Sequence, residues 1–302
     1  MCQPKPFLGQ STKTIGQSCY GKAVALFTIL ILFTANLLAT PPRDDKKLKP
    51  EELMARHLEA MGSPEARNAV KWRTVGGAIN LTLRLGGAGN VAGEAMMVST
   101  ERRFRYGMKF RSVDYPGEDM AFDGSQVHAG FLPKGGRSQL SAFLTQQPTI
   151  LKEGLLGGVL STDWALLHLD QQQPRLDYRG LKKSSGRELH EMTYRPRKGD
   201  ASLKITLYFD PATFYHVRTQ YNFQIAASIG TKESPEQNPE SYLTLTEEFD
   251  EFRKVDGLML PHKYRLQMSV QSPRASAIYD YTLTVSGIVH NQPFDEGIFK
   301  LK

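Results

Sequence analysis

The chain is poor in the residues that build chemistry. It has only two cysteines in 302 residues, Cys2 and Cys19, and both precede a long apolar run, so nothing after residue 19 can form a disulfide or a thiolate metal site. No GxSxG elbow, Walker loop, HExxH, CxxC or EF-hand loop occurs. The seven histidines stand singly, with no HxH or HxxxH pair to suggest a metal site or a catalytic base. Gly86, Gly87, Gly89 and Gly93 miss the spacing of a phosphate-binding loop and read as hairpin glycines. These absences exclude the common hydrolase, nucleotide-binding and metalloenzyme classes, so a non-enzymatic protein with no cofactor and no metal is expected.

Acidic residues are missing from the N-terminus, which carries Lys5, Lys13 and Lys22 ahead of AVALFTILILFTANLLA, residues 23–39. A basic segment, an apolar run and a small-residue exit make an export signal. The run has 17 residues, at the lower limit for crossing a bilayer, so cleavage after Ala39 and retention as an anchor both stay open. Either outcome places the remainder outside the cytosol, in a periplasm or cell envelope. The expected organisation is a signal peptide or anchor over 1–39, a charged tether over 40–49 and one domain over 50–302. Without residues 1–39 the formal charge falls from +7 to +4, with 35 basic against 31 acidic residues, which is no footprint for nucleic acid.

What the domain does contain is alternation. A helix is expected from Pro50, with Glu51 and Glu52 at its positive end, Leu53, Met54, Leu58 and Met61 on one stripe and Gly62 as its stop. A second short helix starts at Ser63-Pro64-Glu65. From Ala78 the period becomes two, with Ile79, Leu81, Leu83 and Leu85 on one face. The strand 102–111 divides more sharply. Phe104, Tyr106, Met108 and Phe110 face one way and Arg103, Arg105, Lys109 and Arg111 the other, as an apolar face and a basic surface face.

Ser138 to His168 breaks the alternation and reads as a helical insertion laid over the sheet, interrupted by Gly154, Gly157 and Gly158. Alternation then returns at Leu203 to Phe209, Tyr215 to Phe223, Ser241 to Lys254, Leu258 to Val270 and Ala275 to Val289, with Asp256-Gly257 as the strongest hairpin signal. Glu247, Glu248, Asp250 and Glu251 read as a solvated strand face. Short turns between consecutive strands imply an antiparallel meander, mainly β with helices (α+β). The sheet is expected to curl into an unclosed barrel plugged by helices. Phe104, Tyr106, Met108, Phe110, Leu155, Leu156, Trp164, Leu260 and Tyr264 are the candidate lining of its interior, either a filled core or a ligand cavity.

The opening helix EELMARHLEAMG, the strand ERRFRYGMKFR, the turn AFDGSQVH, the segment LYFDPATFYHVRTQY and the hairpin EEFDEFRKVDGLMLPHKYRL with YTLTVSGI resemble the superfamily of periplasmic lipoprotein carriers and outer-membrane lipoprotein-sorting proteins. That resemblance implies an inner face that holds acyl chains non-covalently beneath a lid. The implied partners are lipid or a lipidated protein, or an envelope or membrane-associated protein, and not nucleic acid. An envelope scaffold with a filled core, acting through its basic face, is the competing expectation.

Overall fold

A computed structural model describes residues 48–84, 88–130, 135–226, 240–273 and 276–301. The N-terminal apolar segment 23–39 and the tether up to residue 47 lie outside these residues. Among the described residues no helix is long and apolar enough to cross a membrane.

The first helix, α1 (Pro50–Met61), starts with proline and two acids and buries Leu53, Met54, His57 and Met61. Ser63 caps α2 (Pro64–Ala69) by accepting a hydrogen bond from the Ala66 backbone N–H. Five strands follow: β1 (Trp72–Arg84), β2 (Ala88–Thr100), β3 (Arg103–Phe110), β4 (Gly117–Phe122) and β5 (Val127–Ala129). The insertion carries α3 (Gln139–Gln146), α4 (Thr149–Lys152), two single helical turns and α5 (Leu169–Gln172). Seven strands complete the domain: β6 (Arg175–Ser184), β7 (Arg187–Arg195), β8 (Lys204–Phe209), β9 (His216–Ile225), β10 (Ser241–Val255), β11 (Leu258–Gln271) and β12 (Ser276–His290).

All twelve strands form one antiparallel sheet in the order β5-β4-β3-β2-β1-β12-β11-β10-β9-β8-β7-β6. Among the described residues only the β1–β12 pairing joins strands that are distant in sequence, with Leu81 opposite Tyr281. β5 and β6 are the two edges and are not paired with each other, so the barrel is unclosed. The same two edge strands are the ones that the insertion connects. The insertion therefore runs from one open edge to the other across the inner face.

Its side chains explain why it stays there. Leu140, Phe143, Leu144, Ile150, Leu151, Leu155, Leu156, Val159, Leu160, Trp164 and Leu166 are all buried and join the inward residues of the strands in one core. At the centre, Gly157 lies against Phe104 of β3 and Met97 of β2, while Gly158 lies against Phe249 of β10 and His216 of β9. Glycine is required at Gly154, where φ is +67° and a Cβ would stand 1.7 Å from the Asp163 carbonyl oxygen.

The acidic group on β10 departs from the expectation. Glu247 is fully buried on the inner face among the core side chains. Glu251 adopts φ +55° and is exposed, and the register runs past it unshifted, with Asp250 opposite Lys263 and Phe252 opposite Pro261. Glu247 is buried and Glu251 is exposed, so position 247 and position 251 do not share a solvated face.

Candidate functional site

The interior combines apolar packing with a small set of polar fasteners between sheet and insertion. Glu247 Oε1 accepts from the Gly157 backbone N–H at 2.6 Å and from the Tyr264 hydroxyl at 2.8 Å. Its Oε2 accepts from the Tyr221 hydroxyl at 2.7 Å. Burial raises the carboxyl to about 7 even though these three hydrogen bonds pull it down. Tyr106, whose ring lies 6.0 Å from that of Tyr264, has a buried hydroxyl with no hydrogen-bond partner among the described residues.

A second inward carboxyl, Glu118 on β4, accepts from Ser141 Oγ in α3 at 2.7 Å and from the Tyr115 hydroxyl. It too is raised, chiefly by burial. Arg73 of β1 donates from Nη1 to the Val159 carbonyl at 2.7 Å and from Nε to His290 at 3.0 Å. Burial lowers this guanidinium to about 10. From the β6–β7 end of the sheet, the Tyr194 hydroxyl reaches Glu153 at 2.9 Å and Gln172 at 3.0 Å. Strands β1, β4, β7 and β10 thus each tie down a different part of the insertion.

At the α1 end, His57 Nδ1 lies 3.0 Å from the Phe214 carbonyl and its Nε2 accepts from Trp164 Nε1 at 3.4 Å. These contacts make Nδ1 the protonated nitrogen. Burial lowers His57 to about 4 and also lowers His216, whose ring lies 6.3 Å away, so both are neutral at pH 7. Asp163 is the interior's weakest point. Neither of its buried oxygens has a hydrogen-bond partner among the described residues, and burial raises the acid to about 8.

Every expected lining residue is buried. Phe104, Tyr106, Met108 and Phe110 lie on the inner face of β3, Tyr264 on β11, and Leu155, Leu156 and Trp164 on the insertion; all eight belong to the one core. Leu260 on β11 is fully buried as well. Sheet and insertion residues meet directly, as where Gly157 faces Phe104. The basic face is divided in use. Arg105 makes a two-point bond to Asp119 and donates to the Ile298 carbonyl at 2.6 Å, and Arg103 stacks over Phe299. Lys109 and Arg111 are exposed.

Three residues of this site were hidden from the sequence reading. Glu247 sits in an acidic run that looks solvated, and Glu118 lies in a short strand whose register is set by its neighbours. Arg73 is polar at a position that alternation assigns to the core. The tyrosines opposite the two acids, Tyr221, Tyr264 and Tyr281, were the available signal, since a buried phenol needs an acceptor.

No family model matches the chain. No curated protein matches it either. Solved structures similar to it include an outer membrane lipoprotein-sorting protein domain from Vibrio parahaemolyticus, at 10% identity, covering 83% of this chain and 97% of that one with a TM-score of 0.43. A LolA superfamily protein from Nitrosomonas europaea is 9% identical, with 84% and 98% covered and a TM-score of 0.40. A DUF1329 family protein from Desulfovibrio piger is 11% identical, with 84% and 98% covered and a TM-score of 0.37. The likeness is distant and one of fold.

Proposed function

We propose that the protein is an exported, non-enzymatic envelope protein that receives an acyl chain, free or on a lipidated partner, on the inner face of its sheet, with the insertion acting as the displaceable lid. The observation that carries this reading is the insertion itself. It has no strand pairing, it bridges the two open edges, and it is tied to the sheet at a few discrete points such as Gly157 with Glu247 and Ser141 with Glu118.

The energies are commensurate. Exposing the six side chains Leu155, Leu156, Val159, Leu160, Trp164 and Leu166 would cost about 2 kcal/mol each. An acyl chain of about fifteen methylenes recovers about 0.8 kcal/mol each on taking their place. Exchange is therefore close to balanced, which is what a carrier that must also release its cargo requires. The inner residues Phe104, Tyr106, Met108, Phe110, Leu260 and Tyr264 would then form the cargo's walls.

The test is extraction of the protein from its own host, with native mass spectrometry for bound lipid and titration with a fluorescent fatty acid. Bound lipid, together with a change in Trp164 emission on titration, supports the reading. Absence of both refutes it.

A second reading is favoured by the completeness of the core: every candidate lining residue is already packed. In this case the protein is an envelope interaction module that works through the exposed cations Lys109 and Arg111. Reversing these two charges would abolish partner capture while lipid binding stays absent.

A further inference from the structure

The outer face of the sheet carries a row of bare positions. Gly287 of β12 is opposite Gly76 of β1, Gly76 is opposite Met96 of β2, Met96 is opposite Gly107 of β3, and Gly107 is opposite Asp119 of β4. Glycine weakens a strand interior, and it is expected there at a bulge or where another group approaches the backbone closely. Packing does not require these three. A Cβ at Gly287 would meet nothing within 4 Å, and at Gly76 and Gly107 the nearest atoms would be 3.8 and 3.7 Å away. Their φ angles are also outside the left-handed region.

From Gly76 to Asp119 the row is the floor of a cavity of ≈ 860 Å³, which Glu94, Arg105 and Lys109 also line. Met96 is 43% exposed within it, a flexible apolar side chain between two bare positions. β1, β2 and β3 are each paired on both sides, so the backbone of the floor is engaged in the ladder. The Gly76 carbonyl, beside the β12 bulge at Ser286, accepts from Ser286 Oγ at 3.3 Å. A peptide lying across this floor would find no partners for its own N–H and C=O groups. An alkyl chain has none to satisfy.

The trough is also polarised along its length. At the β12–β1 end it offers Ser286, Gly76 and Ala78. At the β3–β4 end two cations, Arg105 and Lys109, alternate with two anions, Glu94 and Asp119, and Glu94 is directly opposite Lys109. From β12 to β4 is ~19 Å at ~4.8 Å per strand. One leaflet's acyl chain spans ~15 Å, half of a ~30 Å hydrocarbon core.

The geometry points to a second amphiphile site on this outer face, taking a single-chain lipid with a zwitterionic headgroup: the chain lies on the glycine floor and the head sits at Lys109 and Glu94, beside the closed Arg105–Asp119 pair. Balanced charge at the head end selects a zwitterion over a net anion. This site does not depend on the interior reading, because it lies on the opposite face of the sheet and needs no lid movement.

The test is isothermal titration of the full chain with a sixteen-carbon lysophosphatidylcholine below its micelle concentration. The Gly76→Val/Gly107→Val double variant and, separately, Met96→Glu serve as comparisons. The expected result is saturable binding with no change in Trp164 emission, weakened about tenfold or more by either variant. The double variant is expected to melt at the same or a higher temperature than the parent, since valine suits a strand and the space is open. Met96→Glu alters an exposed side chain and keeps the question answerable if the double variant does not fold. Undiminished binding by Met96→Glu would overturn the site, as would absence of binding by the parent. A Trp164 response to the same probe, read in a Trp72→Phe background where Trp164 is the sole tryptophan, would place the lipid in the interior and likewise overturn it.

Discussion

Glu247 on β10 holds the backbone N–H of Gly157, ninety residues earlier in the chain, at 2.6 Å. A carboxyl belonging to the sheet thereby anchors the centre of the insertion, and it does so from a fully buried position where its charge is costly. The same contact links stability to pH.

Burial raises Glu247 to about 7, above its value in an unfolded chain. A raised acid contributes its stability fully below the unfolded pKa and loses it as pH rises through the folded one. Below about pH 6.5 the lowered histidines work in the opposite sense, since His57 and His216 must charge on unfolding and favour the fold as pH rises. Above about 6.5 this opposing slope fades as the unfolded histidines lose their remaining charge, and the raised acids Glu247 and Asp163 outweigh it. Urea unfolding midpoints are therefore expected to fall between pH 6.5 and 8, and Glu247→Gln is expected to remove part of that slope, up to about 1.4 kcal/mol per pH unit below the folded pKa. An unchanged slope in the variant would show that Glu247 does not titrate in this window.

Asp163 contributes in the same direction and with less compensation. Both carboxyl oxygens are buried without hydrogen bonds, and the acid is raised to about 8. Asparagine keeps the shape and cannot ionise. Asp163→Asn is expected to match the parent near pH 6 and to be the more stable protein at pH 8, by at most about 3 kcal/mol over those two units. Equal unfolding curves at pH 8 would refute this.

Opening of the insertion is separable from unfolding of the sheet. Gly154 holds the turn that brings Asp163 back beside it, and alanine there would collide with the Asp163 carbonyl. Gly154→Ala is expected to release residues 135–172 to limited proteolysis while far-UV circular dichroism keeps its β signal. The measured loss of stability should be about 2 kcal/mol or more, because φ +67° is itself unfavourable to alanine. Loss of the β signal along with the insertion would mean that sheet and insertion fold as one unit.

Most of the sheet was legible because alternation is a property of the exposed and buried faces themselves. β3, with Phe104, Tyr106, Met108 and Phe110 inward, matches its expected pattern residue for residue. β6 and β7 are absent from the sequence reading because Gly180 interrupts their pairing register and Lys182 and Lys183 charge the free edge. The polar fasteners were not legible for a different reason. Glu247 and Glu118 look like surface acids until the insertion is placed over them, and that placement depends on contacts across the whole sheet. Alternation also gave the outer basic face without showing that Arg105 is already engaged.

That engagement gives the last prediction. Arg105 joins Asp119 through two hydrogen bonds and holds the Ile298 carbonyl at 2.6 Å, so it fixes the C-terminal turn to the outer face. Phe294 of the same tail packs on Trp72 with ring centres 4.3 Å apart, and Phe299 follows it. Arg105→Glu would set two acids side by side and leave the tail carbonyl without its donor. In a Trp164→Phe background, where Trp72 is the sole tryptophan, the expected result is a red-shifted emission and a stability loss of about 1–3 kcal/mol, because the pair is partly exposed. Lys109→Glu is expected to leave Trp72 emission unchanged, and Arg105→Glu with Asp119→Arg to restore it. If Arg105→Glu alone leaves the emission unshifted, the tail is held by its aromatic contacts and not by the guanidinium. A charge-reversal test of the basic face must then be read from Lys109 and Arg111, since reversal at Arg105 changes the tail as well as the charge.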